Sequence, residues 1–405
     1  MALVYLGVRM KSSPESSRRV FEFVGKSVFG AFVVFAVLEL VFWSAFSFGH
    51  WLRPDPRRAD LSPAYAGATW VPEFYREQSL RLQSRYGYVP FRVVGVNSWH
   101  SKYFNNDEHP SGIWRRTVNP EGQCEKQPKI SVWVFGGSTV YGTGVPDWDT
   151  LPSYLSRRLN SDGHACVVVT NFGEESYVTM QELILLVEQL KRGGNPNIVI
   201  FYDGFNDANV GTRSADPWTA YDNLEVIQPR AEGTIWGRFD FVRHLYTVRV
   251  VAAARKLFQG HDASLSPDQL SAKAVTVVDN YEANLNIACA LGKSYNFKFY
   301  GFWQPMLFYG HKPLVPFEQQ LVQFDTAHST RWVASPAVAA YREAERRAPN
   351  AVYFYMAGVF DSVPDPVYLD EAHLGPHGNE LVANAIAKYV EDHPAGMEFR
   401  QDKGQ

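Results

Sequence analysis

The sequence has little of what would indicate nucleic-acid, nucleotide or metal binding. Its 405 residues carry a formal net charge of −3 with both signs dispersed, whereas nucleic-acid binding requires a strongly basic surface. It has no P-loop and no GxGxxG motif, so its glycines predict no phosphate cradle. Its three cysteines have no metal-ligand spacing, and the Leu-Gly-Pro between His373 and His377 does not fit a helical zinc motif. We therefore expect no nucleic-acid partner, no metal and no cofactor.

One hydrophobic run near the N-terminus is long enough to cross a membrane as a helix. It covers residues 28–48, and Glu39 is its only ionisable residue. Because no clear small-x-small cleavage site follows, we predict an uncleaved anchor. Five cationic residues precede the run and three follow it closely, which favours a cytoplasmic segment 1–27 and an extracytoplasmic remainder. Glu39 is a functional candidate by the rule for intramembrane charge, or else a protonated or helix-paired carboxyl.

Residues 49–127 are irregular in pattern and rich in aromatic side chains. Their first part, residues 53–60, is rich in Pro, Arg and Asp and is typical of a linker. The aromatics that follow predict short strands and loops that pack on the next domain. They could line a carbohydrate groove, or they could simply bury area against that domain. The aromatics in question are Trp70, Phe74, Tyr75, Tyr86, Tyr88, Phe91, Trp99, Tyr103, Phe104 and Trp114.

Apolar segments separated by amphipathic helices predict an α/β fold with a parallel, doubly wound sheet. The first predicted strand, 132–135, ends in a pair of glycines that allow a sharp turn. A capping-box pattern formed by Thr179 and Glu182 opens one of the helices. The other predicted strands are residues 166–172, 197–202, 297–303 and 351–355, the further predicted helices begin at Thr150 or cover 272–293, 337–347 and 376–390, and residues 208–270 form a long insertion.

Chemically useful groups follow the predicted strands. Ser138 follows the first strand, Gly173 the second and Asn206 the third, and Asp370 and His373 follow the last. The carboxyl ends of parallel strands share one edge, so we expect these groups to meet there. His373 can act as the base for Ser138 while Asp370 fixes its tautomer. The backbone amides of Ser138 and Gly173 and the side chain of Asn206 can bind an oxyanion. The alternative is that Ser138 merely caps the next helix.

These segments resemble the sequence blocks of the SGNH (GDSL-like) hydrolases. The resemblance covers residues 128–392 and leaves residues 393–405 as a tail. It implies a flavodoxin-like three-layer α/β/α fold with a five-stranded parallel sheet, preceded here by one N-terminal transmembrane helix. It also implies the nucleophile, base, orienting acid and oxyanion partners given above. The blocks are Gly136-Gly-Ser138-Thr, which replaces Gly-Asp-Ser, then Asn171-Phe-Gly173, Gly204-Phe-Asn206-Asp207 and Asp370-x-x-His373-Leu. An α/β-hydrolase would instead carry a GxSxG elbow, which does not occur here.

The expected function is therefore a membrane-anchored, extracytoplasmic serine esterase. Its expected substrates are acyl esters, in the first place acetyl groups on a small molecule or a glycan, and we take Thr139, Trp303 and Gln304 as candidate substrate contacts. One alternative is an O-acyltransferase that modifies a surface polysaccharide or exopolysaccharide through the same triad, together with polysaccharide-assembly partners. Another alternative is a catalytically idle glycan-binding or assembly subunit.

Two of the three cysteines are candidates for a disulfide. Cys124 and Cys166 each precede a strand, and the first two strands are neighbours in the flavodoxin-like order. An oxidising compartment would then favour a bridge between them, and two unpaired thiols are the alternative. Cys289 lies in a predicted helix and is expected to be a core residue.

Overall fold

The computed structural model describes residues 14–52, 58–81, 86–120, 129–161, 166–221, 245–248, 250–251, 266–328 and 334–398. The chain forms two compact units. The first combines Met1–Asp55 with Glu225–Ser264, and the second combines Pro56–Leu224 with Leu265–Gln405. The helices are α1 (Pro14–Leu52), α2 (Val71–Arg81), α3 (Ser138–Tyr141), α4 (Leu151–Leu159), α5 (Thr179–Lys191), α6 (Phe205–Arg213), α7 (Pro267–Tyr295), α8 (Pro316–His328), α9 (Ala334–Arg347) and α10 (Pro376–Asp392). The strands are β1 (Tyr86–Val89), β2 (Val93–Val96), β3 (Trp99–His100), β4 (Asn105–His109), β5 (Gly112–Arg115), β6 (Lys129–Gly136), β7 (Cys166–Gly173), β8 (Ile198–Asp203), β9 (Lys298–Trp303) and β10 (Phe354–Tyr355).

The first unit is built on α1, which contains the predicted membrane run. Its stretch Glu22–Phe48 has a mean hydropathy of 2.2 and is long and apolar enough to cross a membrane, and it is the one such helix among the described residues. Glu39 on this helix accepts hydrogen bonds from the N–H groups of Tyr246 (2.7 Å) and Thr247 (2.8 Å), and also from the Thr247 hydroxyl. The carboxylate is thus bonded to a segment of the insertion within the same unit.

The second unit contains the five-stranded parallel sheet, in the order β10-β9-β8-β6-β7. Alternate residues of a strand point to opposite faces. On β6, Trp133 and Phe135 pack into the core beneath α5, α7 and α9, while Val132 and Val134 pack into the core beneath α4, α8 and α10. The predicted three-layer α/β/α fold is therefore confirmed. The last strand is shorter than predicted, because only its two residues Phe354 and Tyr355 pair with β9.

Residues 58–120 form accessory structure on the same unit. They contain α2, the antiparallel hairpin β1–β2 and the antiparallel sheet β3–β4–β5. Phe74, Tyr103 and Phe104 are buried and share a cluster with Tyr141 of α3. Trp114 is buried in the larger core that includes Phe172. These four aromatics fill the space between the accessory elements and the sheet and do not line an open groove, whereas Tyr88 and Phe91 of the β1–β2 hairpin are exposed.

Two local predictions can be compared directly with the structure. Thr150 caps α4 as expected, since its hydroxyl oxygen accepts the N–H of Ser153. The predicted capping box at Thr179 is wrong by one residue. Val178 holds the cap position, and its N–H donates to Gln181 Oε1 at 3.3 Å. Thr179 is the first residue of the helix, and its N–H and hydroxyl both donate to Asp207.

The cysteines differ in state. Cys166, the first residue of β7, is disulfide-bonded. Cys289 is a free thiol, buried on α7 as expected. Cys124, the predicted partner of Cys166, lies outside the described residues.

Candidate active site

Two glycines place Ser138 at the carboxyl edge of the sheet. Strand β6 ends at Gly136, and Gly137 caps the short helix α3, which begins at Ser138. A Cβ on Gly136 would lie 2.4 Å from the carbonyl oxygen of Tyr202, and one on Gly137 would lie 2.5 Å from Nδ2 of Asn206. Only glycine tolerates such contacts. The glycine pair therefore lets the chain pass directly between β8 and the Asn206 side chain.

Ser138, His373 and Asp370 form a continuous hydrogen-bonded chain. Ser138 Oγ lies 2.7 Å from His373 Nε2, and His373 Nδ1 lies 2.6 Å from Asp370 Oδ2. The other carboxylate oxygen, Oδ1, accepts the backbone N–H groups of Ala372 (3.0 Å) and His373 (2.8 Å). The backbone of the turn that follows the last strand therefore holds the Asp370 carboxylate in the position from which it contacts the imidazole.

The charge state of Asp370 suits this arrangement. Burial acts to raise the pKa of Asp370, but the nearby His373 charge and the hydrogen bonds from His373 and Ala372 hold it below its usual value. An ionised carboxylate keeps the proton of the imidazole on Nδ1. Nε2 is then unprotonated and can accept the proton of Ser138. The side chains of His373 and Asp370 remain 21% and 27% exposed, so water reaches this chain of groups.

Asn206 lies beside the serine, as its predicted role requires. Its Nδ2 donates one hydrogen to the carbonyl oxygen of Tyr177 at 2.8 Å, which leaves the second N–H of the amide. The N–H of Ser138 belongs to the first turn of α3, where backbone donors lack partners within the helix. Two donors are thus available near Ser138 Oγ.

Gly173 does not offer its amide as predicted. Its N–H donates to Oδ1 of Asn171 at 2.9 Å, and Nδ2 of Asn171 in turn donates to the carbonyl oxygen of Val140. The glycine is needed for a different reason, because a Cβ there would lie 2.3 Å from the backbone nitrogen of Tyr141. Gly173 therefore allows β7 to pack closely against α3.

The turn that follows Gly173 carries a backbone amide that the sequence did not reveal. The N–H of Tyr177 approaches the carbonyl oxygen of Glu174 at 3.4 Å, and Ser176 has φ +65°. A positive φ at the third position is the signature of a type II turn, which usually has glycine there. Among the backbone hydrogen bonds of the described residues, none is donated by the Ser176 N–H. The bond from Asn206 to Tyr177 places this turn next to the Asn206 amide.

The candidate substrate contacts are buried. Trp303 has no exposed surface, and its ring packs against Tyr281 and Tyr341 in the core. Thr139 Oγ1 donates to Oε1 of Gln304 at 3.1 Å, and both residues are less than a tenth exposed. Trp303 is therefore a core residue in this structure, and the other two residues tie α3 to the end of β9.

Arginines of the accessory structure hold the loops around Ser138. Arg115 is fully buried, and it donates to Asp147 Oδ1 (2.7 Å) and to the carbonyl oxygen of Val145 (2.9 Å). Arg81 donates to the hydroxyl of Tyr141 on α3 at 2.6 Å. Sequence reasoning missed these residues, because an isolated arginine in an irregular segment gives no signal of burial.

Within the described ranges, no group of three or more His, Cys, Asp or Glu side chains could hold a metal ion.

Comparison with known proteins gives likeness in structure only. No protein-family model matches the chain, and no curated protein matches its sequence. Among 33 matching chains of solved structure is the acetyl xylan esterase AlAXEase, at 15% identity over 64% of this chain and 100% of that one, with a TM-score of 0.34. Another is the lipase/acylhydrolase from Enterococcus faecalis, at 14% identity over 67% of this chain and 99% of that one, with a TM-score of 0.35. A third is a single-residue variant of Axe2, an acetyl xylan esterase from Geobacillus stearothermophilus, at 11% identity over 69% of this chain and 100% of that one, with a TM-score of 0.34. Such distant likeness does not extend to substrate, so the function of this chain is argued from its own site.

Proposed function

We propose that the chain is a carboxylic-ester hydrolase of the SGNH type that works through an acyl-serine intermediate. The observation that carries the proposal is the hydrogen-bonded chain from Ser138 Oγ through His373 to Asp370, with distances of 2.7 and 2.6 Å. It lies at the carboxyl edge of the parallel sheet, where open α/β folds place their sites.

The reaction follows from this geometry. His373 Nε2 takes the proton of Ser138 as Oγ attacks the ester carbonyl, and the imidazolium then protonates the leaving alcohol. Water, activated by the same nitrogen, releases the acid from Ser138. The oxyanion of each tetrahedral intermediate accepts hydrogen bonds from the Ser138 N–H and the Asn206 amide. In place of the occupied Gly173 amide, we assign the third donor to the Ser176 N–H.

The substrate assigned to this site is an acyl ester, in the first place an acetyl group on a glycan. The support is the openness of the triad, since about a fifth of His373 and a quarter of Asp370 face solvent. An open site accommodates a bulky alcohol component and admits water for the second step. An O-acyltransferase would have to exclude water in favour of a sugar hydroxyl, so the same openness favours hydrolysis. A catalytically idle subunit would have no need of the intact chain of groups.

We assign the second unit to the extracytoplasmic side of the membrane, with α1 as the anchor. The excess of cationic residues before the apolar run supports this orientation. The disulfide-bonded state of Cys166 supports it independently, because such bonds persist in oxidising compartments. Protease added outside right-side-out vesicles should digest the second unit. Digestion only after the membrane is broken would reverse the topology.

The proposed activity is tested with the full chain in detergent and an aryl acetate as substrate. We expect S138A and H373A each to lower turnover by about four orders of magnitude, and the double variant to lose little more. The control is H377A, which removes a half-exposed histidine four residues further on. It should retain full turnover. A serine-directed phosphonate should label the wild type and leave S138A unlabelled. Full activity of S138A would end the proposal.

Hydrolysis and transfer are separated by the decay of the acyl-enzyme in a single turnover. Fast decay in water that added oligosaccharide does not change excludes the transferase. A long-lived acyl-enzyme that only glycan discharges, with acylated glycan as the product, excludes the esterase.

A further inference from the structure

A cavity of about 530 Å³ lies outside the triad, between the β1–β2 hairpin, the Gly112 turn and α5. Its volume is within the range of pockets that bind small ligands. None of its lining residues belongs to the triad or to the three assigned oxyanion donors. The reaction described above therefore leaves this cavity without a role.

The cavity is built on the same turn that carries Ser176. Glu174 lines it, and the Glu174 N–H donates to the carbonyl oxygen of Gly136 at 3.0 Å, next to the glycine that precedes Ser138. Next to it, Arg92 Nη1 lies 3.8 Å from Glu174 Oε1 and donates to the hydroxyl of Tyr177 at 2.9 Å. One end of the turn, Glu174, thus lines the cavity, and the other end, Tyr177, is bonded to the lining residue Arg92, so a ligand there would lie beside the turn that follows β7.

The charges around the cavity favour an anionic ligand. Arg92 is neutralised by Glu188, whose Oε2 accepts its Nε–H at 2.9 Å. Burial raises the pKa of Glu174 to about 8, and this carboxyl also faces the Arg92 guanidinium, so the buried charges of the cavity offset one another. Lys191 and Arg192 are exposed on the rim at the end of α5, and no carboxylate among the described residues forms an ion pair with either side chain. The rim therefore presents two positive charges.

The tip of the hairpin adds an aromatic surface. Phe91 lines the cavity yet is 80% exposed, and its backbone has φ +67°. Val93 is also in the left-handed region, at φ +72°. Such conformations are costly for bulky residues and persist where the surrounding structure enforces them. The phenyl ring is thus held outward at the mouth of the cavity, where its face can stack on the C–H groups of a sugar ring.

We propose that this cavity binds a carboxylate-bearing sugar unit of an acidic glycan. Lys191 and Arg192 meet the carboxylate, and Phe91 stacks on the ring. This inference rests on the proposed esterase function and specifies its substrate as an acidic glycan, whose neighbouring unit would reach Ser138.

The test measures binding of oligogalacturonate, and of a neutral cello-oligosaccharide of equal length, to the full chain in detergent at low salt. We expect the acidic probe to bind, and the double variant K191Q/R192Q to weaken that binding about tenfold, as expected for two exposed ion pairs. F91A should weaken it as well. The matched controls are Y88A, an equally exposed aromatic of the same hairpin that does not line the cavity, and K298Q at the start of β9; both should bind as the wild type does.

The outcomes separate this inference from the proposed function, because every variant is also assayed with aryl acetate. K191Q/R192Q and F91A should keep wild-type turnover of that small ester. Equal binding of the two probes, binding that the cavity variants leave unchanged, or no binding of the acidic probe would each overturn the inference. A wild type that binds the acidic probe but does not turn over aryl acetate would instead overturn the esterase proposal.

Discussion

A buried pair of carboxyls makes the stability of the protein sensitive to pH. Glu182 on α5 is fully buried, and Asp203 at the end of β8 is 2% exposed. No hydrogen bond of ordinary geometry reaches the carboxyl oxygens of either residue from the described part of the chain. Burial raises the pKa of Asp203 to about 7, and burial together with the charge of Asp203 raises the pKa of Glu182 well above its usual value. Both carboxyls therefore stay protonated in the folded protein at pH values where the unfolded chain is ionised.

The sign and size of the effect follow from proton linkage. Between the usual pKa of 3.8 and the folded value of about 7, the folded state binds one more proton at Asp203 than the unfolded state does. The free energy of unfolding therefore falls as pH rises, by up to about 1.4 kcal/mol per pH unit, and by about 2 kcal/mol from pH 5 to pH 7, because the slope flattens as the pH reaches the folded pKa. The raised pKa of Glu182 changes the stability in the same direction. The variant E182Q carries no proton to lose at this position, so its curve of unfolding free energy against pH should be flatter than that of the wild type; the loss of one proton corresponds to a slope of at most about 1.4 kcal/mol per pH unit.

Urea unfolding followed by tryptophan fluorescence, from pH 5 to pH 8 in detergent, measures these slopes. The control is E380Q, whose parent side chain is 52% exposed on α10. Its curve should run parallel to that of the wild type. The comparison uses slopes and not absolute stabilities, so it is insensitive to any packing change at position 182. If the E182Q and wild-type curves run parallel, the two carboxyls do not hold their protons as argued.

Three further predictions concern other buried or strained groups. R115A should destabilise the protein by about 3–5 kcal/mol in urea unfolding, because it leaves the buried Asp147 carboxylate without its cationic partner; a cost below about 1 kcal/mol would contradict this. S176G should keep turnover and stabilise the protein by up to about 1 kcal/mol, since glycine adopts φ +65° without strain; a large loss of turnover would show that the side chain itself acts. E39L should speed proteolysis near Thr247, while E39Q, which keeps an acceptor oxygen, should not; equal cleavage of both would dismiss the contact.

The sheet could be predicted because its strands are buried on both faces. Such strands have continuous apolar sequences, as in Val132–Phe135, and the structure extends this strand to Lys129–Gly136. The positions of Ser138 and His373 followed from the same logic, since polar groups directly after parallel strands meet at one edge. Their contact joins residues 235 positions apart in the chain. Strand order and strand ends sufficed to bring them together in the prediction.

The details of the site depend on contacts that a linear sequence does not encode locally. Whether the Gly173 N–H can reach an oxyanion depends on the side chain of Asn171, whose Oδ1 accepts a hydrogen bond from that N–H. The strain at Ser176 was hidden because a serine gives no signal of a left-handed backbone. Trp303 ends its strand like a site residue, but the alternation of β9 turns its ring into the core toward Tyr281. In each case a tertiary contact decided the outcome.

The sequence analysis did not assign the accessory structure to the site, although its side chains hold the loops around Ser138. Arg115 binds the carbonyl oxygen of Val145 and, at 3.4 Å, those of Tyr141 and Gly142, so it holds the loop that continues from α3. Arg92 binds the turn of Ser176 through the hydroxyl of Tyr177. A chain shortened to begin at residue 129 would keep every triad residue but lose these donors and leave buried carbonyl groups unpaired. Unpaired buried groups are costly, so we expect the proposed catalytic unit to require the segment 58–120 as structural support for the loops around Ser138.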